Sequence, residues 1–223
     1  MTSPALAALE GAERRPGRLA LYLRSLAALR DPLRLARLDL PWWSFAAAER
    51  VEEFLRERRG AATAFEYGPG ASTAWLARRC RRVAYVEHDA RWWPAIRRLT
   101  AGFPHVRGVL APPRPLASAE GACRSGRLGH GGLDYRPYVE AIRQAGGPFD
   151  LIVIDGRART ACLREAVRHL KPEGAIVFDN TERARYREAL ARAGCRVERF
   201  YGLTPAAPYP TETSLLHPLR AGA

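Results

Sequence analysis

Lysine is almost missing from this chain. Lys171 is the single lysine among 36 basic residues, and all the others are arginine. Against 23 acids they leave a formal charge of +13. Two readings of that charge stand side by side. One is attraction to nucleic acid or another polyanion. The other is a compositional bias that coats every surface with guanidinium. The arginines run through the whole chain without clustering in one stretch, which favours the second. Paired cysteines are missing too. Cys80, Cys123, Cys162 and Cys195 form no CxxC, so neither a zinc site nor a dithiol redox motif is suggested. Cys162 and Cys195 fall in apolar patterns and read as small core residues, and a reducing, cytoplasmic compartment is the expectation. No uninterrupted apolar run is long enough to span a membrane. The first residues carry Glu10, Glu13 and several arginines, which excludes a secretion signal there. What remains is a chain of 223 residues, 47% apolar, suited to one α/β domain with a sizeable core.

Residues 1–17 mix Ala, Gly, Pro and charge and are expected to be frayed. Leu19, Tyr22, Leu23, Leu26 and Leu29 then recur at helical spacing. After Pro32 and Pro41-Trp42-Trp43-Ser44-Phe45, a second amphipathic helix carries Ala48, Val51, Phe54 and Leu55 and ends at Gly60. The pattern predicts a helical extension over 1–59 and an α/β domain over 60–223. In that domain strands are expected at 63–67, 82–87, 105–110, 149–155, 175–179, 195–201 and 213–217. Helices are expected at 71–79, 90–99, 135–144, 161–170 and 181–193, and 111–134 reads as a long loop. Phe149 to Asp155 is a continuous apolar run ending in an acid, the signature of a strand buried on both faces. Alternating strands and helices imply a doubly wound parallel sheet. In such sheets the ligand sits at the carboxyl ends of the strands, and Glu87, Asp155 and Asp179 stand there.

The first expected strand runs through Glu66-Tyr67 into Gly68-Pro69-Gly70, followed by Ala71-Ser72-Thr73. Glycines let a backbone approach a ligand closely, and Ser72 or Thr73 can cap the helix. Glu87, at the end of the second strand, can accept hydrogen bonds from both hydroxyls of a ribose. Asp89 fits a helix cap, and His88 stands open between flanking an adenine and lying solvated in a loop. Glu66-x-Gly68-x-Gly70-x-Ser72 with Glu87 resembles the cofactor signature of class I S-adenosylmethionine-dependent methyltransferases. The likeness covers roughly residues 60–217. A dehydrogenase would more often show a third glycine where Thr73 stands. The resemblance implies a seven-stranded Rossmann-like sheet with an antiparallel C-terminal hairpin. It also implies S-adenosylmethionine held by Glu66, Gly68, Gly70, Ser72, Thr73, Glu87, His88 and Asp155.

Asp155 with Asp179-Asn180 makes a hard oxygen set suited to magnesium. It is similar to the metal site of catechol O-methyltransferase-like enzymes, which implies Mg²⁺ on Asp155, Asp179 and Asn180 and a catalytic role for Asp155. The competing reading has Asp155 touching the cofactor or substrate directly and Asp179-Asn180 capping the next helix. Where those enzymes place a basic lysine, this chain has Arg157 and Arg159, which stay protonated and cannot serve as a base. They could instead bind an anionic substrate, or lie solvated in a loop. Trp42-Trp43 is expected to plug the core or close over the ligand, and Tyr135 or Tyr138 to face the substrate. The expected activity is O-methylation of a small diol, catechol or sugar. A nucleic-acid methyltransferase is the alternative within enzymes, although no Asn-Pro-Pro-Tyr, Asp-Pro-Pro-Tyr or Pro-Cys motif supports it. An inactive binding protein on the same fold is the non-enzyme alternative.

Overall fold

Consecutive apolar residues in one strand point to opposite faces of a sheet, and both faces are used here. In β6 (Phe149–Ile154), Leu151 and Val153 enter one core while Ile152 and Ile154 enter the other. In β7 (Leu170–Asp179), Ala175 and Val177 divide in the same way from Ile176 and Phe178. This double burial is the physical reason that these segments read as unbroken hydrophobic runs. The computed structural model describes residues 17–29, 31–117 and 123–219. The expected frayed segment therefore lies outside the described residues, apart from Gly17.

The main sheet has seven strands in the order β3-β2-β1-β6-β7-β9-β8. It is built from β1 (Thr63–Tyr67), β2 (Arg82–Glu87), β3 (Val106–Leu110), β6, β7, β8 (Cys195–Gly202) and β9 (Thr211–Pro218). Strands β1, β2, β3, β6 and β7 are parallel, and β9 pairs antiparallel with both β7 and β8. The expected doubly wound sheet with a closing hairpin is thus the observed architecture. The strand order reverses between β1 and β6, so the carboxyl ends of β1, β2, β6 and β7 flank a crevice.

Three helices precede the sheet: α1 (Arg18–Leu26), α2 (Pro32–Arg37) and α3 (Phe45–Glu57). Asp31 caps α2 by accepting the Arg34 N–H at 3.0 Å. Trp43 is fully buried and meets Trp75 edge-on at 5.6 Å, so it plugs the core under α4 (Ala71–Ala77). These helices are also stitched to the far end of the chain. The Ser44 N–H donates to Thr213 Oγ1 at 3.2 Å and the Ser44 hydroxyl to the Phe200 carbonyl at 2.9 Å. The Phe45 N–H donates to the Leu203 carbonyl at 3.0 Å, and the Ala206 N–H to Ser25 Oγ at 2.9 Å.

After α5 (Trp93–Thr100) the structure departs from expectation at several places. The stretch read as a loop contains a two-stranded ribbon, β4 (Arg114–Pro115) against β5 (Leu133–Asp134). The Asp134 carboxylate holds it by accepting the N–H groups of Cys123 and Arg136 at 2.9 and 3.0 Å. Helix α6 spans only Arg136–Glu140 before it tightens into a 3₁₀ turn, and α7 spans Arg159–Ala166. The helix expected from Thr181 shrinks to a 3₁₀ turn at Ala184–Tyr186 and α8 (Arg187–Ala191). Its start is diverted because Asn180 adopts φ 59° and the Thr181 hydroxyl bonds Glu212 and Ser214, each at 2.7 Å. No helix among the described residues is long and apolar enough to cross a membrane.

Trp43→Ala should cost about 3–5 kcal/mol, the range for truncating a buried tryptophan. Urea unfolding followed by fluorescence measures it. A loss below about 1 kcal/mol would mean that α3 does not depend on this plug.

Candidate functional site

The sharp turn after β1 has a steric cause. Gly68 adopts φ +84°, and a Cβ there would lie 2.5 Å from the Gly156 Cα. A Cβ on Gly156 would in turn meet the Tyr138 hydroxyl. The turns after β1 and β6 are therefore pressed together, and neither tolerates a side chain. Gly70 is different. Its backbone is extended, and a Cβ would find no atom closer than 4.0 Å. Packing does not require glycine at this position. The residue borders a cleft of about 820 Å³, and what its missing side chain leaves open is cleft space.

That cleft lies at the carboxyl ends of the strands. Gly68, Gly70, Ser72, Glu87, His88, Asp155, Asp179 and Asn180 line it, so the structure brings together most of the expected site. Trp42, Trp92, His130 and the turn between β8 and β9 complete its lining. Glu87 is buried, and its Oε1 accepts the N–H groups of His88 and Asp89, both at 2.7 Å. No described residue bonds its Oε2, which leaves one fixed carboxylate oxygen for a ligand hydroxyl. His88 packs against Tyr135 and Tyr138, with ring centroids 5.6 Å away in each case. Both tyrosines are fully buried beneath it, so neither faces the substrate directly.

Glu66 and Thr73 do not line the cleft. Glu66 is fully buried and accepts the hydroxyls of Ser72 and Thr73, one on each oxygen. Thr73 Oγ1 also accepts the Gly70 N–H at 3.0 Å. Their place is under the glycine turn, which they brace. Burial pushes the Glu66 carboxyl up to about 7, with the two hydroxyls opposing the rise. The bracing continues above the turn, where the Trp92 indole N–H donates to the Pro69 carbonyl at 3.1 Å. Trp92, His130 and the 204–211 turn had no signal in the sequence, because they come from segments whose patterns mark only helices and loops.

The magnesium expectation meets a specific obstacle. Arg159 Nη2 donates to Asp155 Oδ1 at 2.7 Å, while Nη1 reaches Asn180 Oδ1 at 3.3 Å and lies 3.7 Å from Asp179 Oδ2. Asp179 Oδ1 accepts the Thr213 hydroxyl at 2.7 Å. All three expected metal ligands are thus engaged by one buried guanidinium, and Mg²⁺ would need their oxygens in a near-octahedral shell. The residues present do not fit the metal. Among the described residues there is also no group of three His, Cys, Asp or Glu placed to hold one. Arg159 itself is 7% exposed with its donors spent inside the protein, so the expectation that it grips a substrate anion is corrected as well. Arg157 does line the cleft. Burial raises the carboxyls of Asp155 and Asp179; Arg159 pulls both down, and Asp155 adds to the rise at Asp179.

The raised Glu66 carboxyl gives a pH prediction with a definite sign. The folded state keeps this proton up to about pH 7, while an unfolded chain releases it near 4.5. Stability from this group is full below pH 4.5 and declines as pH rises to about 7. The decline amounts to about 3 kcal/mol. Glu66→Gln should remove that slope, read as the difference between the two proteins' urea stabilities from pH 4.5 to 8. Parallel curves would show that Glu66 is ionised throughout.

No protein-family model matches the sequence, and no curated protein matches it. Solved structures do. An O-methyltransferase from Bacillus cereus in complex with SAH superposes with a TM-score of 0.58 at 17% identity, covering 95% of this chain and 96% of that one. An rRNA methylase from Streptococcus thermophilus gives 0.53 at 11% identity, over 78% of this chain and 96% of the other. A precorrin 8w decarboxylase from Methanobacterium thermoautotrophicum gives 0.50 at 16%, over 79% and 91%. Their reactions differ, so what they share with this chain is the architecture. The strand order, the reversed final strand and the glycine turn over the crevice give this chain the Rossmann-like fold of the class I methyltransferases.

Proposed function

We propose that this protein is an S-adenosylmethionine-dependent methyltransferase that methylates a hydroxyl of a small molecule without a divalent metal. The observation that carries the reading is the pairing of an unfilled Gly70 with the free Oε2 of Glu87 in one cleft. The glycine turn leaves room for the cofactor's amino-acid end, and Glu87 offers an acceptor to its ribose. His88 and Trp92 supply flat faces beside that position. The cleft is large enough for cofactor and acceptor together. The match to the Bacillus cereus enzyme extends over the N-terminal helices, whose connecting turns here contribute Leu29 and Trp42 to the cleft wall.

The reaction would be an in-line displacement. Bound S-adenosylmethionine would supply the methyl group from its sulfonium and, once an acceptor oxygen had taken it, would leave as the neutral thioether. Holding the two reactants in line is the protein's main contribution. The attacking hydroxyl must lose a proton, and Asp155 is the acceptor we assign. It stands at the cleft with its carboxyl raised by burial, while Arg159 keeps its ionised form available. Asp179 sits deeper, 4% exposed, and serves to hold Arg159 in place.

Two measurements test this reading. Calorimetry with S-adenosylhomocysteine should give binding, and Glu87→Ala should weaken it about 10- to 100-fold, as expected for losing charge-assisted hydrogen bonds. A protein that binds no S-adenosylhomocysteine would sink the methyltransferase reading and favour an inactive relative of the fold. Methyl transfer should also persist after EDTA treatment, and Mg²⁺ should produce no binding heat. Loss of activity in EDTA, restored by Mg²⁺, would show that Arg159 yields its place to a metal.

A further inference from the structure

A second cavity of about 430 Å³ adjoins the main cleft, and Arg127, Gly156, Arg157 and Arg183 belong to both walls. Arg124 and Arg185 line the second cavity alone. Among the described residues, no aspartate or glutamate lines it. Elsewhere this protein pairs its arginines freely, with partners such as Glu49, Asp39, Glu52 and Glu165. Here, Arg159 apart, the pairing is sparse. Arg124 and Arg127 have no side-chain partner among the described residues. Arg185 rests on the Tyr186 ring at 4.9 Å, Arg183 reaches Glu182 at 3.6 Å, and Arg159 is the one arginine of this wall held by two carboxylates, those of Asp155 and Asp179. The Arg157 Nε is buried with no hydrogen-bond partner. Burial and the charges of Arg127 and Arg159 all lower the Arg157 pKa.

The cavity floor adds an independent feature. Ala158, Arg159 and Thr160 line it, and they form the N-terminus of α7. The cap position holds Ala158 in a left-handed conformation, φ 49°, with no side chain capping the helix. Alanine is among the poorest capping residues. An uncapped helix start with its positive end facing a cavity of arginines is an anion site in two respects.

We propose that this cavity binds a phosphoryl group carried by the methyl acceptor. The inference rests on the methyltransferase reading, because the shared wall would direct the acceptor's other end toward the methyl donor. A phosphoryl group brings two negative charges and several acceptor oxygens, which suit guanidinium forks and free helix N–H groups. The arginines surround one small concavity, which suits a compact dianion rather than a polymer backbone. The bias toward arginine in the sequence thus acquires a local meaning here. Arg124, Arg127, Arg157, Arg183 and Arg185 come from three separate segments, so no run of charge announced them.

The test is calorimetry on the full protein saturated with S-adenosylhomocysteine, titrated with pyrophosphate, inorganic phosphate or acetate. Pyrophosphate and phosphate should bind, and acetate at least tenfold more weakly. Arg124→Ala with Arg185→Ala removes two exposed arginines of the second cavity, so the fold is not at risk. This double variant should weaken pyrophosphate at least tenfold and leave S-adenosylhomocysteine affinity unchanged. Arg157→Ala should weaken pyrophosphate by a similar factor. A protein that binds S-adenosylhomocysteine but no phosphate or pyrophosphate overturns the phosphoryl site alone. So does equal binding of acetate, or pyrophosphate binding indifferent to these variants. A single-stranded RNA that binds more than tenfold tighter than pyrophosphate, with a steep salt dependence, overturns it in favour of a nucleic-acid substrate.

Discussion

The carboxyl ends of β6 and β7, where the cleft turns into the sheet, are arranged around one buried guanidinium. Arg159 donates to the carbonyls of Asp155, Gly156 and Asp179 as well as to the Asp155 carboxylate and the Asn180 amide. It thereby ties the end of β6 to the end of β7 with a single side chain. A buried cation is costly unless its donors and its charge are matched, and here two carboxylates and three carbonyls match it. The same contacts decide what the site can be. They hold Asp155 at the cleft, keep Asp179 nearly buried in its wall, and put a fixed positive charge where the resemblance to metal-dependent enzymes implied an ion.

The glycine turn is rigid for a complementary reason. Beneath it, Glu66 is clamped by two hydroxyls, and above it Trp92 holds the Pro69 carbonyl. To one side Gly68 touches Gly156, which itself rests on Tyr138. A backbone braced from three directions offers preorganised space to a ligand. The ordering entropy is then spent in folding rather than at binding.

Much of this was legible in the sequence, and the reasons are specific. Phe149–Ile154 declared a doubly buried strand because no polar residue interrupts it beyond Asp150, which bonds Thr63 and Lys171 at the far edge. Glu87 was legible because an acid ending an apolar strand needs a partner. Glu66, expected among the cofactor contacts, instead braces the glycine turn from beneath, since a sequence does not show which way a strand residue faces at a turn. Trp42 and Trp43 are chemically identical neighbours, and only the tertiary packing sends one to the cleft and the other to the core. In the sequence Arg159 reads as either a grip for a substrate anion or a solvated loop charge, because its partners Asp179 and Asn180 lie 20 and 21 residues away. Long-range pairing of that kind leaves no local period to read.

The stitching of α1 and α3 to the β8–β9 turn has a consequence for how the molecule comes into being. Ser25 and Ala206 are 181 residues apart, and Ser44 and Thr213 are 169 apart. Contacts so distant in sequence form late and slow the search for the native state. During synthesis the N-terminal helices leave the ribosome long before their partners exist, with Tyr22 and Phe45, which pack in one cluster with Ala206 in the folded chain, still uncovered. The cleft acquires its last wall only when the final hairpin docks. A ligand spanning that wall and the glycine turn would bind the completed chain alone, and so would act as a clasp that selects finished molecules from unfinished ones.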